Sequence, residues 1–110
     1  MDDQTKNLIQ KHIDTNEVCL FMKGTPDAPQ CGFSMAVSNM LKILEVSYVG
    51  INVLESQSLR EGIKEFSDWP TIPQVYIKGE FVGGCDIVKE MYENGELKKI
   101  FKEKDIKHKD

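Results

Sequence analysis

Short apolar runs alternate along the chain with polar stretches rich in Gly, Pro and Asp, and the period of each run predicts its element. Leu8, Ile9, His12 and Ile13 recur at helical spacing behind Asp2, Asp3 and Thr5, so an amphipathic helix is expected from Asp3 to Thr15. Val18 to Met22 is nearly continuously apolar, the pattern of a central strand buried on both faces, which puts Cys19 in the core. Phe33, Val37, Met40, Leu41 and Leu44 form the stripe of a second helix that begins just after Cys31 and runs to Glu45. Tyr48 to Asn52 reads as a second strand, and Ser56 as the cap of a third helix through Leu59, Ile63 and Phe66. Gln74 to Ile77 and Phe81 to Val82, around Lys78-Gly79-Glu80, have the spacing of an antiparallel hairpin. Asp86 opens a further helix through Ile87, Val88, Met91 and Tyr92, with Gly95 as its stop before a short segment from Leu97 to Phe101.

Strand, helix, strand, helix and then a hairpin is an α/β arrangement in which a parallel unit and an antiparallel pair share one mixed sheet. No repeat, linker or low-complexity tract divides it. The expected organisation is one domain over residues 1–103 and a charged tail over 104–110 that frays. At 110 residues and 40% hydrophobic content, one domain can bury a modest core without metals or disulfides.

Charge and cysteine usage narrow the function. Fourteen basic against eighteen acidic side chains give a net charge of -4 with no Arg-rich or aromatic-interleaved patch, so nucleic acid is not an expected partner. Cys19, Cys31 and Cys85 are odd in number and irregularly spaced, and no apolar signal segment precedes them; the expectation is a reducing compartment rather than a disulfide framework. Met1-Asp2-Asp3-Gln4 is too acidic for a transit peptide and no run has the length of a membrane span, so the chain reads as cytoplasmic, as a processed organellar protein also would.

Chemistry concentrates in three stretches. In Cys31-Gly32-Phe33-Ser34 a thiol stands at a helix N-terminus, where free N–H groups and the helix dipole favour thiolate. Ser34 occupies the place where a second thiol would complete Cys-x-x-Cys. Cys31 must therefore find its second sulfur on a small thiol, on Cys85, on another chain or at a metal centre. In Trp69-Pro70-Thr71-Ile72-Pro73-Gln74, Pro73 precedes a strand either as a plain trans entry or through a cis peptide. The cis form would leave the Ile72 backbone free to pair with an extended peptide beside Cys31. In Gly83-Gly84-Cys85-Asp86, the glycines and the following helix start form either a small anion site or a bulge with Asp86 as its N-cap. Lys23 and Arg60, each near an element end, could supply cationic contacts to carboxylates, although such surface charges usually do nothing specific. The Cys and His residues lack paired zinc-ligand spacing, and Ser34 has no His base within range, which disfavours a zinc site and a serine nucleophile.

Lys23-Gly24-Thr25-Pro26, Cys31-Gly32-Phe33-Ser34, Trp69-Pro70-Thr71-Ile72-Pro73-Gln74 and Gly83-Gly84-Cys85-Asp86, taken in order, resemble the monothiol glutaredoxins of the CGFS class. Cys-x-x-Ser alone is weak; four blocks in sequence between residues 3 and 101 are specific. The resemblance implies a thioredoxin-like fold, a four-stranded mixed sheet flanked by helices, with Pro73 a cis-proline facing the thiol. It implies glutathione as the small thiol. Lys23 and Arg60 would lie towards the glycyl carboxylate, the Ile72 backbone on the cysteinyl portion, and Gly84, Cys85 and Asp86 at the γ-glutamyl end, with Phe33 and Trp69 as walls.

It further implies a [2Fe-2S] cluster held between two protomers by two Cys31 and two glutathione thiolates, the four ligands such a centre needs. The implied role is cluster binding and transfer to apo iron-sulfur proteins in cluster biogenesis or iron homeostasis. A homodimer bridged by the cluster, or a complex with a BolA-like partner, would be the loaded form. The alternative is an enzyme that removes glutathione from protein mixed disulfides through Cys31, with a second glutathione or Cys85 resolving.

Overall fold

The computed structural model describes residues 1–110. Its elements are α1 (Asp3–Thr15), β1 (Val18–Met22), α2 (Gly32–Ile43), β2 (Val49–Asn52), a 3-10 turn (Val53–Glu55), α3 (Gln57–Ser67), β3 (Gln74–Ile77), β4 (Glu80–Gly83), α4 (Cys85–Asn94) and α5 (Glu96–Glu103). The sheet runs β2-β1-β3-β4, with β1 parallel to β2 and antiparallel to β3, and β3 antiparallel to β4. The expected α/β fold with a four-stranded mixed sheet is therefore present, and no helix is long and apolar enough to cross a membrane.

All five residues of β1 are buried because its two faces feed two cores. Val18, Leu20 and Met22 meet Val37 and Leu41 of α2, Val88 of α4, and Leu97 and Phe101 of α5. Cys19 and Phe21 meet Ile9 and Ile13 of α1 and Leu59 and Ile63 of α3. The period of two along a doubly covered strand produces this division.

Several boundaries differ from the sequence reading for local reasons. Helix α2 ends at Ile43, because Leu44 caps it and Glu45 turns to φ 55. Tyr48 is not in β2; its hydroxyl lies 2.6 Å from Ser38 Oγ, tying the strand entry to α2. The hairpin turn is Lys78-Gly79, both at positive φ, and Glu80 belongs to β4. Helix α4 starts at Cys85 behind a Gly84 cap, so Asp86 is a first-turn residue and not the N-cap.

The charged C-terminal segment does not fray. Ile106 is 6% exposed, the Lys109 N–H donates to Leu44 O at 2.7 Å, and the His108 ring lies on Phe101. One buried isoleucine contributes roughly 1.5–3 kcal/mol, enough to dock a short polar strap.

On the α1/α3 side, Cys19 and Tyr76 are cross-strand partners with both side chains buried. Burial pushes the Cys19 thiol up from 9.0 to about 12 and the Tyr76 phenol up from 10.0 to about 12. Raised folded-state values mean that this stability is present below pH 9.0 and is lost as the pH climbs towards about 12, where the unfolded chain releases protons first. Thermal unfolding is expected at progressively lower temperature across that range. Cys19→Ala should flatten the decline; an unchanged slope would remove Cys19 as a contributor.

Candidate functional site

Cys31 is the N-cap of α2, with extended backbone at φ -151 and ψ 136, and makes no capping hydrogen bond through its side chain. The Ser34 backbone N–H, more than that of Phe33, favours the thiolate, as do the Lys23 charge and the Ser34 hydroxyl. Together they hold the thiol below the ordinary cysteine range against the opposing effect of partial burial. A thiol shifted towards thiolate is what its place at a helix start led one to expect.

Ser34 is fully buried, and its Oγ accepts the Lys23 N–H at 3.0 Å, joining the end of β1 to the first turn of α2. Sulfur is a weak acceptor, so the hydroxyl suits this bond better than a thiol would. The intervening loop is pinned throughout. Gln30 N–H donates to Lys23 O at 2.9 Å, Gly24 N–H to Asn52 Oδ1 at 3.0 Å, and Lys42 Nζ to Pro26 O at 2.6 Å. Asn52 Oδ1 also accepts the Leu54 N–H at 2.9 Å, so one amide links the loop to the 3-10 turn that leads into α3.

The facing wall is the segment from Trp69 to Pro73, in which the Ile72–Pro73 peptide is cis. Residues 70–73 make no backbone–backbone hydrogen bond, which leaves the N–H and C=O of Ile72, a residue 6% exposed that lines the cleft, without a backbone partner. The third wall is Gly83 to Ile87. A Cβ on Gly84 would lie 3.0 Å from Trp69 Nε1 and 3.3 Å from Pro73 O, so the glycine permits the two loops to approach closely. The register of β3 and β4 shifts here, pairing Val75 with Gly83 but Tyr76 with Phe81, so the glycines mark the bulge of the second sequence reading, without its Asp86 N-cap.

These walls enclose a cleft of about 450 Å³. Lys23, Cys31 and Phe33 line one side and Lys64 a second; Trp69 to Pro73 and Gly84 to Ile87 complete it. The structure thus brings together every residue the sequence reading set towards a ligand except Arg60, which does not line the cleft and whose Nε is buried without a partner. Lys64, one turn further along α3, stands on the wall instead. Sequence reasoning missed Lys64, Pro70, Thr71 and Ile87; the i to i+4 spacing from Arg60 was the available signal for Lys64.

The three thiols have different chemistry. Cys19 is sealed in the core. Cys85 lines the cleft, but burial first, and then the neighbouring Asp86 carboxylate, push its thiol up. Cys31 alone is both accessible and activated. No group of three or more His, Cys, Asp or Glu side chains could hold a metal ion within one chain, so any cluster must draw its remaining ligands from outside it. Two cationic side chains, an exposed Asp86 and the unpaired Ile72 backbone groups along one cleft suit a zwitterionic extended peptide that bears its own thiol.

Comparison with known proteins agrees with this geometry. Residues 18–82 match the glutaredoxin family model. A probable monothiol glutaredoxin 2 of Rickettsia typhi is 56% identical over 94% of this chain and 93% of its own length. The solution structure of a monomeric truncated mutant of Trypanosoma brucei 1-C-Grx1 superposes with a TM-score of 0.88 at 44% identity, covering 96% of each chain. A buckwheat glutaredoxin–glutathione complex, at 24% identity and a TM-score of 0.80 over 94% of each chain, shares the fold.

Proposed function

The chain belongs to the glutaredoxin family, as a monothiol member, and from that premise we propose that it binds glutathione in the Cys31 cleft and carries a [2Fe-2S] cluster for transfer to apo iron-sulfur proteins. The observation that carries this reading is a single activated thiol beside a peptide-sized cleft, with a buried, hydrogen-bonded Ser34 where a second thiol would stand. A second copy of the chain and two glutathione molecules would bring the thiolates to four. Lys23 and Lys64 would take the glycyl carboxylate, the Ile72 backbone the cysteinyl unit, and Asp86 with the α4 N-terminus the γ-glutamyl end. Arg60 would act from outside the lined cleft.

Two ligands in four would be diffusible, a property suited to release of the cluster onto apo-proteins. The working form in this reading is a cluster-bridged homodimer, or a complex with a BolA-like partner, in a reducing compartment such as the cytosol or the mitochondrial matrix. Anaerobic reconstitution with iron, sulfide and glutathione is expected to give cluster absorption and a dimer that dissociates when the cluster is removed. Absence of both, with glutathione present, would overturn the proposal.

The lowered Cys31 pKa favours a second reading. Cys31 thiolate attacks the glutathione sulfur of a protein mixed disulfide and expels the protein thiolate, leaving a Cys31–glutathione disulfide. A second glutathione thiolate then attacks that disulfide, releasing oxidised glutathione and regenerating Cys31 thiolate. Turnover comparable to a dithiol glutaredoxin in a deglutathionylation assay would rank this activity first.

A further inference from the structure

Trp69 N–H is tied to Lys64 O at 3.1 Å. The wall beyond it, from Pro70 to Pro73, lacks backbone pairing of its own, yet it must hold a fixed height if the Ile72 backbone is to meet a ligand. From Pro70 to Pro73 no backbone group bonds to another backbone group. The Trp69 and Thr71 carbonyls are instead held by one side chain: Gln74 Nε2 donates to Trp69 O at 3.2 Å and to Thr71 O at 3.1 Å. Gln74 is the first residue of β3, is 0% exposed, and follows Pro73 directly. Both its N–H donors serve the wall, and both carbonyls they hold belong to cleft-lining residues.

The other half of the amide points to why the residue is there. Gln74 Oε1 is buried and has no hydrogen-bond partner. An orphaned buried acceptor costs stability, and an apolar side chain of the same shape would avoid that cost. A polar group kept at such a site serves placement better than it serves stability. We propose that Gln74 is the positioning residue of the binding cleft: its amide sets the Trp69 to Ile72 wall at the height that lets the Ile72 N–H and C=O pair with an extended ligand. This inference rests on the reading of the cleft as a glutathione site.

The test compares the native chain with Gln74→Met and Gln74→Glu, measuring glutathione binding by calorimetry and thermal unfolding on the same samples. Gln74→Met removes the donors together with the orphaned acceptor, so it is expected to unfold within a few degrees of the native chain while binding glutathione about tenfold more weakly. Gln74→Glu adds a pH signature. Ionised, its carboxylate faces two carbonyl oxygens; protonated, it donates to one of them. The ratio of its Kd to the native Kd is expected to be smaller at about pH 6 than at about pH 8.

A native chain that fails to bind glutathione would overturn the functional reading, and this inference with it. A native chain that binds, with both variants binding equally well at both pH values, would overturn the inference alone. So would a Gln74→Met variant that fails to fold, or one that loses stability but not affinity, since either outcome makes the residue a structural one.

Discussion

Cys31→Ser is expected to abolish cluster assembly outright and to remove the only fast-reacting thiol of the native chain. Neither remaining cysteine can take its place. Cys19 is 0% exposed, with its thiol pushed up to about 12, so it is neither accessible nor ionised near neutral pH. Cys85 lines the cleft but is held in its thiol form by burial and by Asp86, the reverse of what the α2 N-terminus does for Cys31. Iron in such clusters is held by thiolates, and a serine hydroxyl at the same N-cap offers neither the soft donor nor the low pKa. Alkylation near neutral pH should therefore modify one thiol rapidly in the native chain and in Cys85→Ser, and none in Cys31→Ser. The pH profile of that rate should have its midpoint below the ordinary thiol value. A Cys31→Ser chain that still assembles a cluster with iron, sulfide and glutathione would move the site to Cys85 and sink the proposed ligand set.

The second large effect is expected away from any reacting atom, at Gly24. This residue sits at φ 91, and a Cβ there would lie 2.5 Å from Ala28 O and 2.6 Å from Gln30 N. Both are backbone atoms of a loop pinned by Asn52, Lys42 and Lys23, so neither can step aside as a flexible side chain would. Gly24→Ala adds the strain of a positive φ to that clash and should cost about 3 kcal/mol. For a domain of this size the corresponding fall in Tm is on the order of 10–20 °C. Weaker glutathione binding should accompany it, since Lys23 precedes the displaced residue and its N–H is the donor that anchors Ser34. Gly32→Ala provides the contrast. No atom lies within 4 Å of its added Cβ, and it occupies a helical position, so its effect on Tm should stay within a few degrees. Equal Tm values for the two variants would show that the loop gives way more easily than its contacts imply.

The elements were legible because their apolar periods are clean. The doubly buried run Val18–Met22 and the stripe Val37–Leu44 carry the pattern, whereas Phe33, read as part of that stripe, is 63% exposed and turns to the cleft instead of the core. The misread ends have local causes that no period records: a left-handed residue at Glu45, a Gly84 cap in place of Asp86, and a tail docked by Ile106 and one backbone bond. The same holds in the site. Lys23, Cys31, Trp69, Ile72 and Asp86 stood out by motif, whereas the one local mark of Lys64 is its i+4 spacing from Arg60, and only the wall it lines makes it a site residue.

What the sequence determined by itself was the set of chemical parts: one thiol at a helix start, a hydroxyl three residues on, a proline before a strand, and paired glycines before another helix. Those features follow from residue type and spacing, which are local. Only the tertiary structure decided how the parts face one another. It divided the thiols into one activated, one raised and one sealed, because backbone hydrogen bonds lower Cys31 while burial, with the Asp86 charge at Cys85, raises the other two. It placed Lys64 rather than Arg60 on the wall, gave Ser34 the Lys23 N–H, and set Gln74 behind a loop with no backbone pairing of its own. Each of these depends on groups distant in sequence or on a buried contact, and such contacts exist only once the sheet and its helices have closed around them.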